Sequence, residues 1–180
     1  MSGHSKWSQI KHKKASTDAQ KSRYFAKLAR QITVVAKEKG PDPSGNPKLR
    51  SMIEKARGLN MPSDNIERAI KSAQAKEGAL EEVLFEAYGP GGVAILISGI
   101  TDNKNRASQE IKHILSEHGV KLASPGSARF LFEKTNDGWQ AQPAIEIDEA
   151  SRNSLKKLFE ALDEHDDINE IYTNAEIEKQ

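Results

Sequence analysis

Residues 1–15 of this chain crowd together groups that could meet a polyanion. Lys6, Lys11, Lys13 and Lys14 stand with His4, His12 and Trp7. An ammonium group neutralises phosphate, and an indole can stack on an unpaired base. The same indole could equally anchor the segment on the helical domain that follows. Lys21, Arg23, Lys27 and Arg30 come next. The last three fall at i, i+4 and i+7, which places them on one face of a helix.

Other constellations point to less. Gly89-Pro90-Gly91-Gly92 offers backbone N–H groups to a phosphate, but no Gly-Lys-Ser/Thr follows and no helix opens after it. A hairpin turn is the better reading. His113 and His118 are five apart, not the four a helical metal pair needs. His165-Asp166-Asp167 has residue types for acid–base work, yet reads as a solvated polar loop. The chain has no cysteine, so thiolate metal sites and cysteine nucleophiles are excluded. No nucleophile elbow and no dinucleotide fingerprint are present. No catalysis, metal or cofactor is expected. Asp102-Asn103-Lys104-Asn105-Arg106 opens a helix, so Lys104 and Arg106 form a possible secondary phosphate contact. An ordinary capped helix start is the competing reading.

Net charge hides a division. Residues 1–76 carry 17 Lys and Arg against 6 Asp and Glu, whereas residues 77–180 carry 10 against 20. Such asymmetry points to a nucleic-acid partner for the first part. The longest apolar run, Val93 to Ile97, is far too short for a bilayer. Residues 1–30 lack an apolar signal core. A cytoplasmic monomer that does not touch membranes is expected.

The elements that must position these groups follow from period and punctuation. Residues 1–15 show no apolar period and read as an arm. A helix over 17–39 has Thr17 as cap and Gln20 completing a capping box. Its stripe is Phe25, Leu28, Ile32, Val35 and Ala36, and the opposite face, with Arg23, Lys27 and Arg30, should be solvated. A second helix starts at Asn46-Pro47 and a third at Ser63 as cap. Three short amphipathic helices must pack together, giving a domain over 1–76 with its linker near residue 76. Strands follow over 83–88, 93–100, 128–132, 144–147 and 168–173, with helices over 103–118 and 149–163. Without its first strand the order is βαββαβ. The expected fold is therefore α+β: a three-helix domain, then over 77–180 a ferredoxin-like α/β sandwich with an added edge strand.

These segments resemble the YebC/PmpR family. The matching stretches include Gly3-His4-Ser5-Lys6-Trp7, Asn46-Pro47-Lys48-Leu49-Arg50, Asn60-Met61-Pro62, Asp64 to Ile70, Tyr88 to Val93, Thr101 to Arg106, and Tyr172-Thr173-Asn174-Ala175. Members are described as transcriptional regulators and as ribosome-associated translation factors. The resemblance therefore implies a transcriptional regulator binding DNA, or a translation factor binding ribosomal or transfer RNA at the ribosome. A protein-interaction module acting through the acidic domain is a further alternative. No helix-turn-helix with a convincing recognition helix is evident in the sequence. Members usually carry a further α/β domain where this chain has only Thr135 to Pro143. A short hairpin-like link is expected there.

Overall fold

The computed structural model describes residues 6–10, 17–75 and 79–178. They divide into two compact units. A helical unit holds residues 17–75, 79–82 and 100–103, and an α/β unit holds residues 6–10, 83–99 and 104–178. The expected α+β class is what the chain adopts. Helices in chain order are α1 (Trp7–Ile10), α2 (Asp18–Lys39), α3 (Pro47–Gly58), α4 (Ser63–Ser72), α5 (Lys104–Glu117) and α6 (Glu149–Asp163). Strands are β1 (Glu81–Tyr88), β2 (Ala94–Thr101), β3 (Lys121–Ala123), β4 (Phe132–Thr135), β5 (Gly138–Ala141) and β6 (Ile168–Thr173).

In the helical unit, α2 starts on the expected capping box. The Thr17 hydroxyl accepts from the Gln20 amide at 3.3 Å, and the Gln20 side chain accepts from the Thr17 amide at 3.0 Å. Leu28, Ile32, Val35 and Ala36 of α2 meet Leu49, Ile53 and Ala56 of α3 and Ile66 and Ala69 of α4. Asn46 fixes the corner between α2 and α3 and has no solvent exposure. Its Oδ1 accepts from the Leu49 amide at 3.1 Å, capping α3. Its Nδ2 donates to the carbonyls of Val35 and Gly40, both at 3.0 Å, at the end of α2. Ser63, expected as the cap of α4, is instead its first residue. Pro62 holds the cap position with no side-chain hydrogen bond. Its ring fixes φ at −57°, and its carbonyl accepts from Asn65 and Ile66, so no side-chain cap is needed.

The α/β unit is built on a four-stranded sheet of order β3-β1-β2-β6. The first strand, expected at an edge, lies between β3 and β2. Ile95 and Ile97 of β2 face a core with Ile111 and Leu115 of α5 and Leu155, Leu158, Phe159 and Leu162 of α6. Ala94 and Leu96 face the other way, onto Phe132 and Ala141 of the β4–β5 hairpin. A strand covered on both faces needs an unbroken apolar run, and Val93 to Ile97 supplies it. Gly89 to Gly92 forms the turn between β1 and β2, with the Gly89 amide donating to the Val93 carbonyl at 2.8 Å.

Two strand expectations change, whereas a hairpin does stand at the link expected after residue 134. Residues 128–132 are not a strand: a single 3-10 turn, Arg129–Leu131, precedes β4. The buried Glu86 carboxylate takes the amides of Gly126, Ala128 and Arg129, which a strand would have given to a neighbour. Residues 144–147 make only a single parallel bridge, Ile145 with Ala175. Strands β4 and β5 form a two-stranded hairpin over residues 132–141, in which Thr135 pairs with Gly138. Gly138 sits at φ 121° with the Tyr172 phenol against its Cα, so a side chain there would be strained and would collide.

Because Asn46 satisfies both helix ends from a buried position, Asn46→Ala removes a cap and orphans two carbonyls. It should cost about 2–4 kcal/mol. Urea denaturation of the full chain checks this, and a change below about 0.5 kcal/mol would contradict the role assigned to Asn46.

Candidate nucleic-acid interface

The cations of α2 do not form the solvated face that their spacing implies. Lys21 is exposed and Arg23 half-buried. Lys27 is only 7% exposed. Arg30 is half-buried and donates to the Ile100 carbonyl at 3.4 Å. Val34, which lies near Lys27 in projection around α2, is buried as well. The helix is therefore covered on more than its apolar stripe, and a two-sided burial cannot be read from one period. Lys11, His12, Lys13 and Lys14 lie outside the described residues.

What the helical unit does present is a groove of about 580 Å³ along α2 and α4. Phe25, Ala29 and Met61 give it apolar lining, and Ser22, Asn65 and Ser72 give it polar groups. Arg30, Lys37 and Arg68 supply three cations, and no Asp or Glu is among its described lining residues. Thr33 ties the two helices together there, its hydroxyl reaching the Ala69 carbonyl at 2.8 Å. A phosphate backbone suits such a groove: cations for charge, hydroxyls and an amide for positioning, apolar surface beneath. Sequence reasoning missed Lys37 and Arg68. Lys37 follows Arg30 by seven residues, a helical repeat that could have found it. Arg68 has no such signal, because only the packing of α4 on α2 brings it near.

Lys6 and Trp7 are not part of a free arm, nor does Trp7 anchor on the helical domain. Both pack in the α/β unit. Trp7 is 5% exposed and meets Phe159 edge-on, ring centroids 5.3 Å apart. Lys6 bridges to Tyr172, donates to the Asp137 carbonyl at 3.1 Å and lies 3.8 Å from the Glu170 carboxylate. The Ser8 amide donates to Glu170 at 3.0 Å. Burial pushes the Glu170 carboxyl above the usual carboxylate range, and the Ser8 hydrogen bonds and Lys6 offset part of that rise. A buried indole cannot stack on a base, so Trp7 is an anchor in this structure.

The secondary contact changes too. Lys104 is exposed at the start of α5. Arg106 pairs with Asp167 at 2.6 Å and with Glu110 at 2.7 Å. Asp167, expected to be solvated, is 2% exposed. It is drawn inward because Arg106 compensates its charge. Glu110, His165 and Asp167 hold possible ligand atoms within 4.8 Å of one another, the residue types of a cation site. The guanidinium already answers both carboxylates. His165 accepts the Asp167 amide on Nδ1 at 3.1 Å, so Nε2 carries the hydrogen that faces Glu110 at 2.8 Å. A protonated Nε2 is no metal ligand. The cluster ties α5 to the segment before β6.

These features define a class: a two-unit α+β protein whose basic helices carry a cationic groove and whose sheet is covered by helices and a hairpin. The crystal structure of a conserved hypothetical protein from Aquifex aeolicus has the same fold. It matches with a TM-score of 0.87 and 32% identity, over 97% of this chain and 98% of that one. Residues 5–76 match the TACO1/YebC protein N-terminal domain, and residues 80–137 match the TACO1/YebC second and third domain. A "probable transcriptional regulatory protein" of Hydrogenobaculum sp. (strain Y04AAS1) is 46% identical over 97% of this chain and 71% of its own length. One so named from Petrotoga mobilis is 48% identical over 98% of this chain and 71% of its own. The chain belongs to the TACO1/YebC family. The matched stretches cover 71% of the length of each of these two relatives.

Among the described residues no helix is long and apolar enough to cross a membrane.

Two substitutions separate burial from surface on α2. Lys27→Gln should lower stability by about 1–3 kcal/mol, because it disturbs a buried polar group. Lys21→Gln should stay within about 0.5 kcal/mol. Trp7→Ala should cost about 3–5 kcal/mol, as expected for a large buried ring. Melting curves on the three variants check all of these, and a Trp7→Ala protein as stable as wild type would show that residue 7 is not an anchor.

Proposed function

We propose that this chain is a non-catalytic, nucleic-acid-binding regulator of gene expression that holds its target on the helical unit. The observation that carries the reading is the groove with Arg30, Lys37 and Arg68 and no acidic lining, set in the half of the chain with the large excess of positive charge. Lys21 and Arg23 extend the cationic surface on α2. Lys11, His12, Lys13 and Lys14 are the further cations proposed to meet the target.

Duplex DNA is the target that the relatives' name suggests, and α4 offers a specific observation in its favour. Helices α3 and α4 are joined by the four residues Leu59 to Pro62, a connection of helix-turn-helix length. Asn65 and Arg68, at i and i+3, are neighbours on one face of α4, and Lys71 follows Arg68 at the same spacing. Asn and Arg are the side chains that pair bidentately with adenine and guanine in the major groove. A translation factor that meets ribosomal or transfer RNA would use the same cations on shape and phosphate.

The test compares duplex DNA with structured RNA in salt titrations of the full chain. Lys37→Gln with Arg68→Gln should lower the slope of log affinity against log salt by about 1.4–1.8, with the melting temperature unchanged. If wild type binds neither polymer at low salt, the function is wrong. An unchanged slope would move the contact off this groove.

A further inference from the structure

The groove of the helical unit is sorted along its length. Phe25, Ala26 and Ala29 line one half of its α2 wall, and Arg30, Thr33 and Lys37 line the other. Ser22 is the polar exception in the first half, and Val34 the apolar one in the second. Both cations of this wall therefore fall in one half. Arg68 joins them from α4. It precedes Ala69, whose carbonyl takes the Thr33 hydroxyl at 2.8 Å, so its place on α4 is level with the cationic half. Phe25 is half-buried, packed on the core of the unit, and lines the groove. From Phe25 to Lys37 the helix rises about 18 Å.

That order bears on what the whole groove fits. A polynucleotide carries a phosphate at every residue, so it asks for cations throughout. It can use the cationic half but leaves the apolar half idle. An acidic protein segment repeats its charges along its length as well. A groove with an apolar half and a cationic half matches a ligand sorted in the same way, with a flat apolar face at one end and several negative charges at the other. A nucleoside polyphosphate is such a molecule.

Size and lining agree. Clefts for small ligands run to roughly 300–1,000 Å³ and combine apolar walls with a few polar groups. This groove holds about 580 Å³. A base laid on the Phe25 ring gains stacking energy. Phosphate oxygens take charge-assisted hydrogen bonds from guanidinium and ammonium groups. No Asp or Glu among the described lining residues opposes them.

We propose that this groove binds a free nucleoside triphosphate, with its base against Phe25 and its phosphates on Arg30, Lys37 and Arg68. The nucleotide occupies the cations that a nucleic acid needs, so the two ligands exclude each other. That exclusion rests on the nucleic-acid reading above, whereas nucleotide binding itself does not.

Calorimetric titration of the full chain with ATP, GTP, adenosine and inorganic tripolyphosphate tests the site. ATP or GTP should bind at one site per chain, and adenosine and tripolyphosphate should each bind at least roughly tenfold more weakly, because each fills one half only. Lys37→Gln with Arg68→Gln should weaken the nucleotide on the order of a hundredfold. Phe25→Leu should weaken it roughly tenfold and leave tripolyphosphate unchanged, and Phe25→Tyr should bind as wild type does. Saturating ATP should displace labelled RNA or duplex DNA in fluorescence anisotropy. No binding of ATP or GTP at millimolar concentration would overturn the site and leave the proposed function standing. So would tripolyphosphate that binds as tightly as ATP, or nucleotide binding that ignores the Lys37 and Arg68 substitutions. Nucleotide that binds without displacing the polymer would overturn the exclusion. A chain that binds nucleotide but neither polymer would keep the site and overturn the function.

Discussion

Asn46 is a neutral amide with no access to water, and the helical unit depends on its being fully answered. The last turn of α2 leaves carbonyls without partners, and the first turn of α3 leaves amides without partners. Asn46 meets both sets at once, donating to Val35 and Gly40 and accepting from Leu49. A buried amide is tolerated only when its donors and acceptors are used, so the corner has one geometry. That geometry sets where α3 leaves α2. Residues 59–62 then return the chain as α4 alongside α2, where Thr33 meets Ala69. The groove with Lys37 and Arg68 exists because these helices are held in this arrangement.

The α/β unit repeats the device with charged groups. Glu86 collects three amides and shapes residues 124–131, turning an expected strand into a rigid loop with Phe130 at its surface. Asp167 takes Arg106 and pins the segment before β6 to α5. Asn46 and Glu86 organise backbone that helix or sheet leaves unpaired, whereas Asp167 meets a guanidinium. Arg106 is spent on structure, pairing with Asp167 and Glu110.

Much of the fold was legible in sequence. The α2 cap, the Asn46-Pro47 start of α3, the apolar faces of α5 and α6 and the turn at Gly89 to Gly92 are local events, fixed by residues within a few positions of each other. The site was less legible. Lys27 lies opposite the apolar stripe and is nonetheless buried, because periodicity reports one face only. Trp7 and Lys6 are far in sequence from Phe159, Tyr172 and Glu170, and no local pattern marks that pairing.

By itself, the sequence determined the family, the α+β class, the positions of most helices, and the separation of positive from negative charge. These rest on composition and on short-range periodicity, which need no knowledge of neighbours in space. The tertiary structure decided which cations reach the surface, that the first strand lies inside the sheet, and that Arg106 serves Asp167. It also decided that Phe130 stands in water while Phe132, two residues on, is buried. Each of these depends on contacts between distant segments, and burial is a property of the packed chain.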